Sequence, residues 1–167
     1  KIAPKAELVF PPSGGAKTAK IIASILSGRD DDLPYVLFDS DRPGKQAAKA
    51  LRETLYSGCV DRVIMTDEAF PKMTETEIED LMPPALICNV LDRMERRAER
   101  EFEDFHDLQK PIVPQIKAWA LDQGFELEDG WKVRLSLGVK EKLLANPTRH
   151  IDEALLEQWK SLFIRFQ

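Results

Sequence analysis

The chain has 167 residues, 43% hydrophobic and 32% charged, a balance that supports a sizeable core and excludes disordered and collagen-like classes. No run of about 18 apolar residues is present to span a bilayer, and the start Lys1-Ile-Ala-Pro4 has no signal-peptide core, so a cytoplasmic protein without membrane contact is expected. With 24 Lys and Arg against 29 Asp and Glu, the net charge of −5 argues against gripping nucleic acid by charge alone, although bound divalent cations reverse the sign locally.

Glu7-Leu-Val-Phe10 reads as a short strand and Pro11-Pro-Ser-Gly-Gly15 as a loop. Lys17 to Ser27 carries Ala19, Ile22, Ala23 and Leu26 at helical spacing, with Gly28 suited to the C-terminal cap. Tyr35–Phe38 is a strand. Pro43 suits the first turn of a helix with Ala47, Ala48, Leu51 and Leu55 on one face, ending near Ser57-Gly58. Asp61 to Thr66 returns to strand. Strand, helix, strand, helix, strand at this spacing predicts an α/β fold with a parallel sheet, whose ligands gather at the carboxyl ends of the strands.

The second half is more charged and mostly helical. Asp92 to Asp107 mixes Arg93, Arg96, Arg97 and Arg100 with Glu95, Glu99, Glu101, Glu103 and Asp104, the pattern of a solvated helix face. After Pro111 and Pro114, Ile116 to Asp122 forms a short helix before Gly124. Trp131 to Ala145 places Leu135, Val139 and Leu143 on one stripe and Lys132, Ser136 and Lys140 on another. Ile151 to Phe166 shows a strong apolar face that includes Leu155, Trp159, Leu162 and Phe163. Residues 1–90 thus read as an α/β core and 91–167 as a helical extension packed on it. Cys59 and Cys88 lack a Cys-x-x-Cys partner and read as buried or spare thiols, and His106 and His150 as surface residues.

The segment Tyr35 to Gly44 carries the clearest chemistry: an apolar run ends in Asp39 and Asp41, then a Pro-Gly turn. These aspartates share a face if the strand runs on, or converge if it breaks into the turn. Two close carboxylates suit Mg²⁺ or Mn²⁺, which take oxygen ligands, and the same residues also favour turns. A second acidic cluster, Glu75 to Asp80, follows the third strand and by itself reads as a solvated helix start. A loop after a neighbouring strand emerges at the same sheet edge, so Glu77, Glu79 or Asp80 are candidates to complete a site, with Asp67 and Glu68 nearer still to the strand's end. Two such metals about 4 Å apart match the device that holds attacking and leaving oxygens in phosphodiester cleavage. Gly14-Gly-Ala-Lys-Thr18 fails as a nucleotide-binding P-loop, because Ala16 precedes Lys17 and Pro11 takes the place of the earlier glycine. Ser13, Gly14 and Gly15 instead position a helix start whose backbone N–H groups would meet a DNA phosphate.

Together, Asp39-Ser-Asp41 with Arg42-Pro-Gly44 behind it, Glu77-Ile-Glu-Asp-Leu-Met-Pro83, Phe10-Pro-Pro-Ser-Gly-Gly15 ahead of a helix, and Gly130-Trp-Lys132 opening a later one resemble the topoisomerase-primase (Toprim) domain. The form most similar is that of the OLD-family (overcoming lysogenisation defect) nucleases, over most of the chain. The resemblance implies a Toprim-like (Rossmann-like) parallel sheet flanked by helices and a DNA endonuclease using two Mg²⁺ or Mn²⁺ ions, without a nucleotide bound by this chain. It also implies an ABC-type ATPase domain in the same full-length protein; the apolar face of Ile151 to Phe166 reads as core, with that domain or a second copy of the chain as the other candidates to cover it. By the same carry-over, Asp39 and Asp41 are metal ligands and Glu79, with Glu77 or Asp80, completes the second metal's shell. Lys132 steadies charge on the transferring phosphate, with Lys140, two turns along, in reserve. The family's first motif, a strand followed by Glu-Gly and a further acid, has no counterpart, since Glu7 is followed by Leu8. The chain is therefore expected either to start after that motif or to be a degenerate, non-catalytic interaction module. An aspartyl-phosphate phosphotransferase with Asp39 as nucleophile is the other alternative.

Overall fold

The computed structural model describes residues 15, 18–30, 32–70 and 73–166. The fold is mixed α/β, with seven α-helices and one two-stranded parallel sheet among the described residues. It divides into two compact units, one covering residues 1–76 and 158–167 and the other 77–157. No helix among the described residues is long and apolar enough to cross a membrane.

In the first unit, α1 (Ala19–Asp30) precedes β1 (Val36–Phe38), α2 (Arg42–Arg52) and β2 (Val63–Met65). The strands pair in parallel, Val36 with Val63 and Phe38 with Met65, with α2 as the crossover. Strand alternation puts Val36, Phe38, Val63 and Met65 into one cluster with Ala48 and Leu51 of α2 and Ala19 and Ala23 of α1. The strand expected at Glu7–Phe10 and most of the following loop, including Ser13 and Gly14, lie outside the described residues. α1 runs through Gly28 instead of stopping there: a side chain at Gly28 would meet open space, so this glycine is an ordinary helical position. α2 ends at Arg52, earlier than the expected Ser57-Gly58. Tyr56 is the reason. Its fully buried ring turns the chain inward, with its N–H returning to the Leu51 carbonyl at 3.0 Å and its hydroxyl donating to the Pro34 carbonyl at 2.7 Å. Burial pushes that phenol up to about 12.

The second unit holds α3 (Pro84–Met94), α4 (Ile112–Asp122), α5 (Trp131–Ala145) and α6 (Pro147–His150). α7 (Glu153–Ile164) begins in this unit and ends in the first. α3, α4 and α5 share one core, in which Ile87, Leu91, Ile116, Trp119 and Leu135 are completely or almost completely buried. α5 matches its expected bounds, and Leu135 and Val139 face inward as its spacing predicts. Gly138 lets α5 seat closely on α3, because a Cβ there would fall 2.6 Å from Val90 Cγ1.

Asp92–Asp107 is not the expected helix. α3 stops at Met94, and turns carry the chain to Pro111. Side chains capture the backbone that a helix would have used: Asp92 Oδ1 accepts from Phe102 N at 2.6 Å, and Gln123 Oε1 accepts from Glu99 N and Arg100 N at 2.9 Å each. Trp119 Nε1 donates to the Arg100 carbonyl at 2.8 Å. Phe102 is fully buried with its ring 5.5 Å from that of Trp119. Burying such a side chain is worth about 1.5–3 kcal/mol, against about 0.2–0.5 kcal/mol for each exposed charge pair, so packing overrides the local charge pattern. Glu95 is correspondingly buried, on Arg97 at 2.6 Å. His106 is not a surface residue either. Its half-buried ring lies 5.6 Å from Phe102, and burial lowers its pKa. α4 begins a turn earlier than expected, at Ile112, because Pro114 falls within the first turn, where an N–H is dispensable.

α2 starts under a tight steric constraint. Asp41 is its N-cap, with Oδ1 accepting from Gly44 N at 2.7 Å, and Pro43 occupies the first turn. A Cβ on the buried Gly44 would overlap the Asp39 carbonyl oxygen and stand 3.0 Å from Asp41 Oδ1. Gly44→Ala is therefore expected to destabilise the protein by about 1–3 kcal/mol in urea unfolding, an unchanged midpoint meaning that the helix start relaxes freely.

Candidate functional site

In the first unit, Asp39 and Asp41 lie at the carboxyl end of β1, on either side of a fully buried Ser40. Ser40 N donates to the Thr76 carbonyl at 2.7 Å and to Thr66 Oγ1 at 3.1 Å, and Ser40 Oγ accepts from Asp67 N at 2.9 Å. Thr66 Oγ1 donates to the Thr76 carbonyl at 2.6 Å and accepts from the Thr76 hydroxyl at 3.2 Å. Three buried hydroxyls thus tie the ends of both strands to the segment around Thr76. Asp39 is half-buried, and Asp41 commits one oxygen to the α2 cap. Glu68 is held in this unit by Arg165 at 2.9 Å and by Met65 N at 3.1 Å. Gly15 is exposed with φ +111°, and its carbonyl accepts from Thr18 N and Oγ1 just ahead of α1.

In the second unit, a single 3₁₀ turn (Ile78–Leu81) presents the other acids. Asp80 uses both carboxylate oxygens on backbone: Oδ2 accepts from Glu77 N and Oδ1 from Ile112 N, each at 2.8 Å. It thereby ties this turn to the start of α4. Glu77 and Glu79, expected at the surface if the cluster were a solvated helix, are 8% and 4% exposed. Lys132, in the first turn of α5, donates to Glu77 Oε2, and its Nζ stands 3.4 Å from Glu79 Oε1. Burial acts to lower the Lys132 pKa, but the Glu77 hydrogen bond and the charges of Glu79 and Glu77 outweigh it and leave the value raised. One ammonium therefore serves two buried carboxylates. The remaining oxygen of the pair's inner member, Glu79 Oε2, is buried without a hydrogen-bond partner.

Glu79 and Lys132 also line an open groove of about 330 Å³ with Val133, Ser136, Leu137 and Lys140. The stripe Lys132, Ser136, Lys140 of α5 is thus one wall of a single depression. Among the described residues, no group of three or more Asp, Glu, His or Cys side chains is arranged to hold a metal ion. The donors still suit a hard cation in kind: Glu77 and Glu79 offer carboxylate oxygens, and Glu79 Oε2 lacks the partner that a buried anion requires. Sequence reasoning passed over Ser40, Thr66 and Thr76, although a hydroxyl residue just beyond each strand is a usable signal. Burial of Glu77 and Glu79 had no local signal, since its cause is Lys132, 55 residues beyond Glu77.

No protein-family model matches the chain, and no curated protein or solved structure matches it.

The two glutamates are expected to differ in what they contribute to stability. Glu79→Gln removes a buried charge whose second oxygen is unpartnered and leaves Lys132 paired with Glu77, so thermal unfolding in EDTA is expected to show an unchanged or higher midpoint. Glu77→Gln removes the nearer partner of Lys132 and is expected to cost about 1–3 kcal/mol. Equal losses in both variants would mean that the ammonium depends on both carboxylates alike.

Proposed function

We propose that the chain is a metal-dependent DNA endonuclease domain of the Toprim type, hydrolysing phosphodiester bonds with Mg²⁺ or Mn²⁺. The observation that carries this reading is Glu79, a deeply buried carboxylate with an unpartnered oxygen, lining a groove with two lysines and a serine. Leaving a buried charge incompletely paired costs several kcal/mol, and a bound divalent cation offsets such a cost. Lys132, Ser136 and Lys140 supply donors suited to phosphate oxygens. Asp39 and Asp41 support the reading from the first unit, because they lie at the carboxyl end of a parallel strand, where α/β folds gather ligands.

When bound, such ions lower the pKa of water and offset charge on a leaving oxygen. In this reading Asp39 and Asp41 in the first unit, and Glu77 and Glu79 in the second, are metal ligands, and Asp80 is a positioning residue for the turn that carries the two glutamates. Lys132 offsets charge on the non-bridging oxygens of the phosphate undergoing attack, and Lys140 contacts a neighbouring backbone phosphate. The reading takes β1, α2 and β2 as part of a Toprim-like, Rossmann-like sheet in a cytoplasmic protein. Such a protein also carries an ABC-type ATPase domain.

The test is nicking of supercoiled plasmid by the full chain in Mn²⁺. Asp39→Asn, Asp41→Asn and Glu79→Gln are each expected to lower the rate by about 10²-fold or more. The Asp41→Asn side chain keeps an amide oxygen to accept from Gly44 N, so the start of α2 stays capped. Mn²⁺-dependent nicking at the parent rate in all three variants would overturn the reading.

A further inference from the structure

We infer that Lys132 is an exchangeable internal cation: its ammonium occupies the divalent-cation position at Glu77 and Glu79, and a bound Mg²⁺ or Mn²⁺ displaces it along the groove that it lines, toward Ser136 and Lys140, where it meets a phosphate. The inference rests on the proposed metal site and adds the order in which that site is filled.

The geometry supplies each part. Nζ contacts Glu77 Oε2 and lies 3.4 Å from Glu79 Oε1, so one monocation stands where two carboxylates face each other. It leaves the pair with an excess negative charge and leaves Glu79 Oε2 without a partner. A divalent cation neutralises both carboxylates and gives that oxygen a ligand to bind. The ammonium and the metal cannot share the position, because like charges at contact distance repel. Lys132 also has somewhere to go. Its side chain is 35% exposed on a flexible four-carbon stem, and the next two turns of the same α5 face place Ser136 and Lys140 along the groove.

The exchange ties two events together. Without metal, Lys132 holds the acidic turn together, and its ammonium is engaged by the two glutamates although its side chain lines the groove. With metal, the same ammonium is released toward Lys140, giving two adjacent cations for successive phosphate oxygens. Metal is then bound before DNA is gripped, and the groove, which already holds Lys140, gains a second available ammonium only when the hydrolytic ion is in place.

The experiment measures Mn²⁺ binding to the full chain by electron paramagnetic resonance, in the parent, Lys132→Met and Glu79→Gln proteins. Removing the competing ammonium is expected to tighten Mn²⁺ binding by about 5–150-fold, the usual range for coupled sites, whereas Glu79→Gln is expected to weaken it by about 10–100-fold. In the parent chain, acetylation of Lys132 followed by mass spectrometry is expected to rise several-fold on adding Mg²⁺. This readout holds even if the methionine variant folds poorly. Equal or weaker Mn²⁺ binding in folded Lys132→Met, or Lys132 acetylation indifferent to Mg²⁺, would overturn the exchange. Mn²⁺ affinity unaffected by Glu79→Gln would instead remove the metal site itself, and the exchange with it.

Discussion

The first unit hangs on three buried hydroxyl groups. Its two strands are three residues each, too short for ladder hydrogen bonds alone to fix where the chain goes next. Ser40, Thr66 and Thr76 do that job by satisfying one another and the backbone where the strands end. Buried polar groups of this kind favour one arrangement strongly, because any shift leaves a donor or acceptor stranded. Asp39 and Asp41 flank Ser40, a member of the network, so their backbone positions follow from it, and Gly44 completes the constraint by admitting the Asp39 carbonyl.

The second unit is organised differently, as an apolar helical core with a charged pocket at its margin. Trp119, Phe102 and Phe125 pack edge to face at 5.2–5.5 Å and anchor the turns between α3 and α4. Beside that core, the two glutamates and Lys132 form an unbalanced charge group at an open groove. The proposed function rests on that imbalance. In structural ion pairs the large majority of buried carboxylate oxygens have a partner, and Glu79 Oε2 departs from that pattern.

Much of this was legible from residue patterns where the cause is local. The Trp131–Ala145 helix follows from its spacing, and the end of β1 from an apolar run that stops at Asp39 and Asp41 beside Pro43 and Gly44. Where the cause is distant, local patterns misled. The alternating charges of 92–107 favour a helix, but Phe102 and the side chains of Asp92, Gln123 and Trp119 draw that backbone into turns. Glu77 and Glu79 sit in a run of acids that reads as solvated, and only the lysine that opens α5 accounts for their burial. Tyr56 ends α2 through a carbonyl at Pro34 that no helical pattern contains.

The two cysteines fall one in each unit. Cys59 is half-buried in the first, and Cys88 is 2% exposed within the second, where burial foremost, then the charges of Asp92 and Glu103, push its thiol up to about 12. A thiol held so far from ionisation is inert to alkylation while its helix stays packed, since the thiolate is the reactive species. Its modification rate at neutral pH therefore counts openings of the α3 core, with the half-buried Cys59 as a second thiol that does not wait on such an opening. The sequence thus carries a chemical clock for the local breathing of the α3 core.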